Sequence, residues 1–150
     1  MKPKFTLVPS EYFNPESAGD ILSKVVLLEQ GEPLSFLDLP EHKAVLVYAG
    51  KTRPAVYDMV MSLFKIREHF KIIANYSDGY LYLVIAQGNE LMLCNSFPAS
   101  DFVTAQYYIF LSLKKLQLNP QVSAIYFTSE LTSEQTIALY SYFKNVEVLR

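Results

Sequence analysis

Tyr80 to Ala86 reads Tyr-Leu-Tyr-Leu-Val-Ile-Ala, a run with no charged or amide side chain. It is too short for a buried helix and rich in aromatic and β-branched residues, so it predicts a strand. Because that strand has no polar face, both of its faces must be covered, as in a sheet with helices on each side. Two further strand-like runs flank it, 70–77 and 91–97, each bounded by Gly or polar turn residues. Asp78-Gly79 and Gly88-Asn89 stand at the joints, and both pairs suit the positive φ angles of tight hairpins. Two consecutive hairpins are therefore expected.

The pattern then changes period. Over 101–118, Phe102, Ala105, Ile109, Leu113 and Leu116 make one apolar helical stripe. Val103, Tyr107, Tyr108, Phe110 and Leu111 widen it almost all round, which predicts a buried helix ended by Asn119-Pro120. A short buried strand at 124–128 follows. Thr132-Ser133-Glu134-Gln135 fits a capping box opening a helix over 133–143, and 146–149 reads as a last strand. From residue 70 the order is β-β-β-α-β-α-β. Ahead of it, Asn14-Pro15-Glu16 starts a short helix to residue 23, and 34–39 and 44–49 read as strands around Pro40-Glu41-His42-Lys43. A helix over 54–68 presents Val56, Met59, Val60, Leu63 and Phe64 to a core. The expected division is an amino-terminal α/β segment, 1–69, and a second domain, 70–150.

Composition narrows the function. The 150 residues carry a net charge of −2 and only 19% charged residues, so the positive surface that phosphate-backbone binding demands is missing and nucleic acid is not an expected partner. One Cys and two His exclude a disulfide framework and a His/Cys-rich zinc site. The apolar run Phe5 to Val8 is too short for a signal peptide, and 102–113 is about half of the roughly 20 residues a membrane helix needs. A cytoplasmic protein without membrane insertion is expected.

Three antiparallel strands followed by alternating helix and strand is the layout of the ribonuclease H-like fold, the repeating unit of actin-like ATPases. Particular stretches carry a closer likeness: Lys4-Phe-Thr-Leu-Val-Pro-Ser10 with Phe13, Leu39-Pro40, Ala44-Val-Leu-Val-Tyr48, Ser77-Asp-Gly-Tyr80, Asn95-Ser-Phe97, Gln117-Leu-Asn-Pro120 and Tyr142-Phe-Lys-Asn-Val146. In these the chain resembles the carboxy-terminal part of an uncharacterised bacterial domain-of-unknown-function family with an actin-like ATPase fold. The resemblance implies an α/β mixed sheet over residues 70–150. It also implies a shortened member or a fragment, because members of the family are longer.

The resemblance also implies where a nucleotide site would lie. In active actin-like ATPases the first hairpin carries an Asp-x-Gly-Ser/Thr loop for metal and phosphate; here it is Ser77-Asp78-Gly79-Tyr80, with acid and glycine adjacent and a bulky Tyr80 after them. Paired glycines after the fourth strand admit adenosine in those enzymes; here Thr128-Ser129-Glu130 stand instead. Asp78, Gly79, Ser129 and Glu130 are therefore candidates for a vestigial nucleotide site, and Asp-Gly is equally the commonest tight-turn pair. A ribonuclease H-type nuclease needs converging carboxylates for magnesium. Asp78 and Glu130 suit two of those places, but the helix after the hairpins has no acid past Asp101 at its start.

Other motifs read as structure. Gly50-Lys51-Thr52 lacks the glycine five positions earlier that a P-loop requires, since Val45 is there. Cys94 suits a small buried thiol, and His69 the carboxy end of a helix. Tyr107, Tyr108, Tyr140, Tyr142 and Phe143 either fill the core or form an aromatic contact patch. The expectation is a non-catalytic, degenerate actin-like domain serving protein association, with itself or another protein, as a dimer or higher oligomer held partly through residues 1–70, with no metal and no cofactor. The alternative is an ATPase that binds ATP and magnesium with a second domain.

Overall fold

The computed structural model describes residues 3–149. The chain divides into two compact units, Met1–Asp58 and Met59–Arg150. The second unit thus begins ahead of the boundary drawn from the sequence, taking in the segment 59–69.

In the first unit, β1 (Phe5–Pro9), β2 (Leu34–Leu39) and β3 (Ala44–Ala49) form an antiparallel sheet in the order β1-β3-β2. Central β3 has a neighbour on each edge, and its residues from Ala44 to Tyr48 are all buried. Val45 and Val47 pack with Val8 and with Ala18 and Leu22 of α1 (Ala18–Ser23). The helix start foreseen at Asn14 is present: its side chain accepts the Glu16 N–H at 3.0 Å, and a 3₁₀ turn, Pro15–Ser17, leads into α1. Lys43 takes a left-handed φ of 53° to turn the chain from β2 into β3.

The helix expected over 54–68 is shorter. α2 spans Ala55–Met61, and a 3₁₀ turn, Leu63–Lys65, follows it. The tighter turn rotates the stripe, so Phe64 is 78% exposed and Ile66 is buried in its stead. His69 accordingly sits at no helix end; its carbonyl accepts the Gly88 N–H at 2.8 Å.

The second unit is a five-stranded mixed sheet, β6-β5-β4-β7-β8. Here β4 is Phe70–Ser77, β5 Tyr80–Gln87, β6 Glu90–Pro98, β7 Ala124–Phe127 and β8 Asn145–Val148. β4, β5 and β6 are antiparallel, whereas β4-β7 and β7-β8 run parallel. Helices α3 (Phe102–Lys115) and α4 (Ser133–Tyr140) lie between β6 and β7 and between β7 and β8 in the chain, giving the expected order. Ile72, Leu81, Leu83 and Ile85 pack with Ala105, Ile109 and Leu113 of α3 and Leu139 of α4. Ile73, Val84 and Ala86, on the opposite face, are fully buried too, so both faces of the central strands are covered.

α3 differs from the all-round buried helix expected. Its narrow stripe is in the core, but Val103 is 73% and Tyr107 59% exposed, so the helix is one-sided. Asp101 caps it by accepting the Thr104 N–H at 2.8 Å. Gln117, at φ 59°, ends it with a Leu118 N–H bond to the Leu113 carbonyl at 2.9 Å. The capping box of Thr132 and Gln135 opens α4 as expected. Among the described residues no helix is long and apolar enough to cross a membrane.

Candidate functional site

Ligands of open α/β sheets bind beyond the carboxyl ends of the strands, where the connections diverge to opposite sides. In the second unit that point lies between β4 and β7: β4 leads outward to β5, and β7 leads through α4 to β8 on the other side. Asp78 and Gly79 follow β4, and Ser129 and Glu130 follow β7. All four candidates therefore stand at the carboxyl ends of two adjacent parallel strands.

Side chains lace these two ends together. The Tyr76 N–H donates to Ser129 Oγ at 2.9 Å, and Asn75 Nδ2 donates to Thr128 Oγ1 at 2.9 Å. Ser77 Oγ donates to Asn75 Oδ1 at 2.7 Å, and the Thr128 N–H to the Ala74 carbonyl at 2.9 Å. The register that pairs Ala74 with Phe127 is thus continued past β7 by hydroxyl groups, where two glycines would have left bare backbone.

Asp78 and Gly79 make a turn. Their φ angles are 53° and 77°, both positive, as a two-residue hairpin of the mirror-image type requires. Ser77 pairs with Tyr80 across it, and the Gly79 carbonyl accepts the Ala99 N–H at 2.8 Å. Tyr76 Oη donates to the Ala99 carbonyl at 3.0 Å and so ties the same corner down. Burial, then the charges of Asp78 and Tyr80, raise the Tyr82 phenol above its ordinary pKa.

The remaining chemical candidates are engaged or inert. Asp101 is held below the usual carboxylate range by the Thr104 hydrogen bonds it accepts as a cap. Burial pushes the Cys94 thiol up to about 12, leaving it protonated and unreactive at neutral pH. The Gly50 N–H donates to the Pro33 carbonyl at 2.9 Å, so that glycine serves a turn at φ 108°. Among the described residues no group of three or more His, Cys, Asp or Glu side chains is placed to hold a metal ion.

One polar centre has no local signal in the sequence. Tyr126 Oη, on buried β7, donates to both carboxylate oxygens of Glu68, at 2.8 and 2.9 Å. Glu147 stands beside Tyr126 in the β7–β8 register. Burial first, then the two carboxylates, raise the Tyr126 phenol well above its ordinary pKa.

The family model described as a protein of unknown function, DUF3822, matches residues 55–146 of this chain. The chain belongs to the DUF3822 family. Its structure resembles a crystal structure from Bacteroides thetaiotaomicron VPI-5482, described as a protein with actin-like ATPase fold and unknown function. The TM-score is 0.81 at 16% identity, over 99% of this chain and 65% of that one. At that identity the likeness establishes the fold: this DUF3822 member has the actin-like ATPase fold. It spans about two thirds of the length of the protein it resembles. No curated protein matches it.

Proposed function

We propose that this DUF3822 member is a non-catalytic, degenerate actin-like domain that works as a protein-association or scaffold module. The observation that carries the reading is the lacing of β4 to the loop after β7. A nucleotide in an actin-like fold needs bare, donor-rich backbone beyond these strand ends. In this chain the Tyr76 N–H is already held by Ser129 Oγ, and the Thr128 hydroxyl by Asn75. Asp78 and Gly79 supply a two-residue hairpin in place of a longer phosphate loop. The residues present therefore do not fit ATP and magnesium. Partners are proteins, this one or another.

Titration calorimetry with ATP and magnesium tests the reading. No saturable heat is expected at millimolar nucleotide. Saturable heat abolished by Asp78→Ala overturns the reading in favour of an ATPase that a second domain completes.

A further inference from the structure

The first unit carries an uneven charge. Segment 10–38 holds Glu11, Glu16, Asp20, Glu29, Glu32 and Asp38 against the single base Lys24, whereas the whole chain has a net charge of only −2. Of these acids, Glu32 is bound by Lys4. Glu11, Glu16, Asp20 and Asp38 are exposed and face solvent without an ion pair among the described residues.

The same segment exposes apolar side chains that a solvated surface does not need. Tyr12 is 72% and Leu27 83% exposed, and Val25, Leu34 and Phe36 are exposed as well. The fold makes two of them, Leu34 and Phe36, neighbours on the same face of β2. The Phe13 ring packs against Phe36 of β2 with centroids 4.9 Å apart. Leu34 lies over α1 so closely that a Cβ on Gly19 would meet its Cδ1 at 3.1 Å. Asp38 is two residues beyond Phe36 on the same strand and therefore on the same face. Glu16 and Asp20 lie in the turn leading into α1 and on α1 itself. Exposed apolar groups and exposed carboxylates thus alternate along this one segment, the mixture of residue types an interface with a charged border uses.

We propose that the surface of segment 10–38, with Phe13, Leu34 and Phe36 as its apolar groups and Glu11, Glu16, Asp20 and Asp38 as its exposed carboxylates, docks a cationic amphipathic segment of another protein. The proposal rests on the association reading above and names its partner class. A second copy meeting this surface through the same face would set carboxylate against carboxylate, so the occupant is a different, basic chain. Apolar anchors of the partner pack on Phe13 and Phe36, and its Lys or Arg side chains meet the exposed carboxylates of the segment.

The test uses the full chain and two synthetic peptides of equal positive charge, one an amphipathic Lys/Leu helix and one with every Leu replaced by Ser. Fluorescence anisotropy at low and at physiological salt reads the binding. The Lys/Leu peptide is expected to bind at least tenfold more tightly than the Lys/Ser peptide. Glu16→Lys with Asp38→Lys, and separately Phe36→Ser, are expected to weaken it at least tenfold. Reversing Glu90 and Glu134 in the second unit leaves it unchanged. Circular dichroism of each variant checks that the fold is retained, and Phe36→Ala replaces Phe36→Ser if the latter unfolds. Equal binding of both peptides, equal loss from the second-unit reversals, or no binding overturns the proposal. Those outcomes leave the calorimetric result untouched, so failure of this surface is distinguishable from failure of the scaffold reading.

Discussion

Replacing Gly79 separates a turn from a phosphate loop. Gly79 has φ 77°, in the left-handed region, and no atom lies within 4 Å of where a Cβ would stand. The cost of Gly79→Ala is therefore purely conformational. Holding an L-residue in the left-handed region costs about 1–2 kcal/mol. Alanine also restricts the unfolded chain, which returns about 0.4–1 kcal/mol. The net expectation is a loss of about 1 kcal/mol. Gly79→Asn, whose side chain tolerates this region, is expected to lose less than half of that. Asp78→Asn, which creates the favoured Asn-Gly turn pair, is expected to leave stability within about 0.5 kcal/mol. Urea denaturation followed by far-ultraviolet circular dichroism measures all three, with the slope checked for constancy. A neutral Gly79→Ala, or an Asp78→Asn that costs as much as Gly79→Ala, would rule out a simple turn here. The latter would mean that the Asp78 charge has work beyond the turn.

Two further outcomes are expected. Ile109→Asp places a charge at a fully buried site in the core cluster that includes Ile72 and Leu83, costing about 4 kcal/mol or more, and is expected to unfold the second unit; a cooperative melt near that of the parent chain would show that α3 is peripheral. Tyr126 and Tyr82 both hold their protons more tightly when folded, so the stability they lend is complete below the ordinary tyrosine pKa of about 10 and is lost as pH rises through and beyond it. Denaturant midpoints from pH 8 to 11 are expected to fall, and less steeply in Tyr126→Phe; an unchanged slope in that variant would contradict the Glu68 contact.

Local chemistry made much of this fold legible. The strands 34–39 and 44–49 follow from apolar runs on either side of Pro40, and the capping box at Thr132 from a four-residue motif. The hairpin order followed from two turn pairs and a strand with no polar face. Where the reading overran, tertiary packing decided what periodicity could not. Phe64 continues the helical stripe in sequence, yet the 3₁₀ turn puts it in solvent and Ile66 in the core. Val103 and Tyr107 are apolar on paper, but one sheet face covers only one side of α3. At the site, the missing glycines at Ser129 and Glu130 were visible, whereas the task of Ser129 was not. Its partner Tyr76 is 53 residues away, and Glu68 is 58 from Tyr126, distances at which no spacing rule applies.

One amide, the Tyr76 N–H, separates a closed strand end from an open nucleotide crevice. Hydrogen exchange at the Tyr76 N–H, followed by NMR with and without millimolar ATP and magnesium, reports directly whether Ser129 Oγ occupies that donor. Slow exchange is expected without nucleotide, faster exchange in Ser129→Ala, and no change in either on adding ATP. Fast exchange in the free protein that becomes slow when nucleotide is added would contradict the closed strand end.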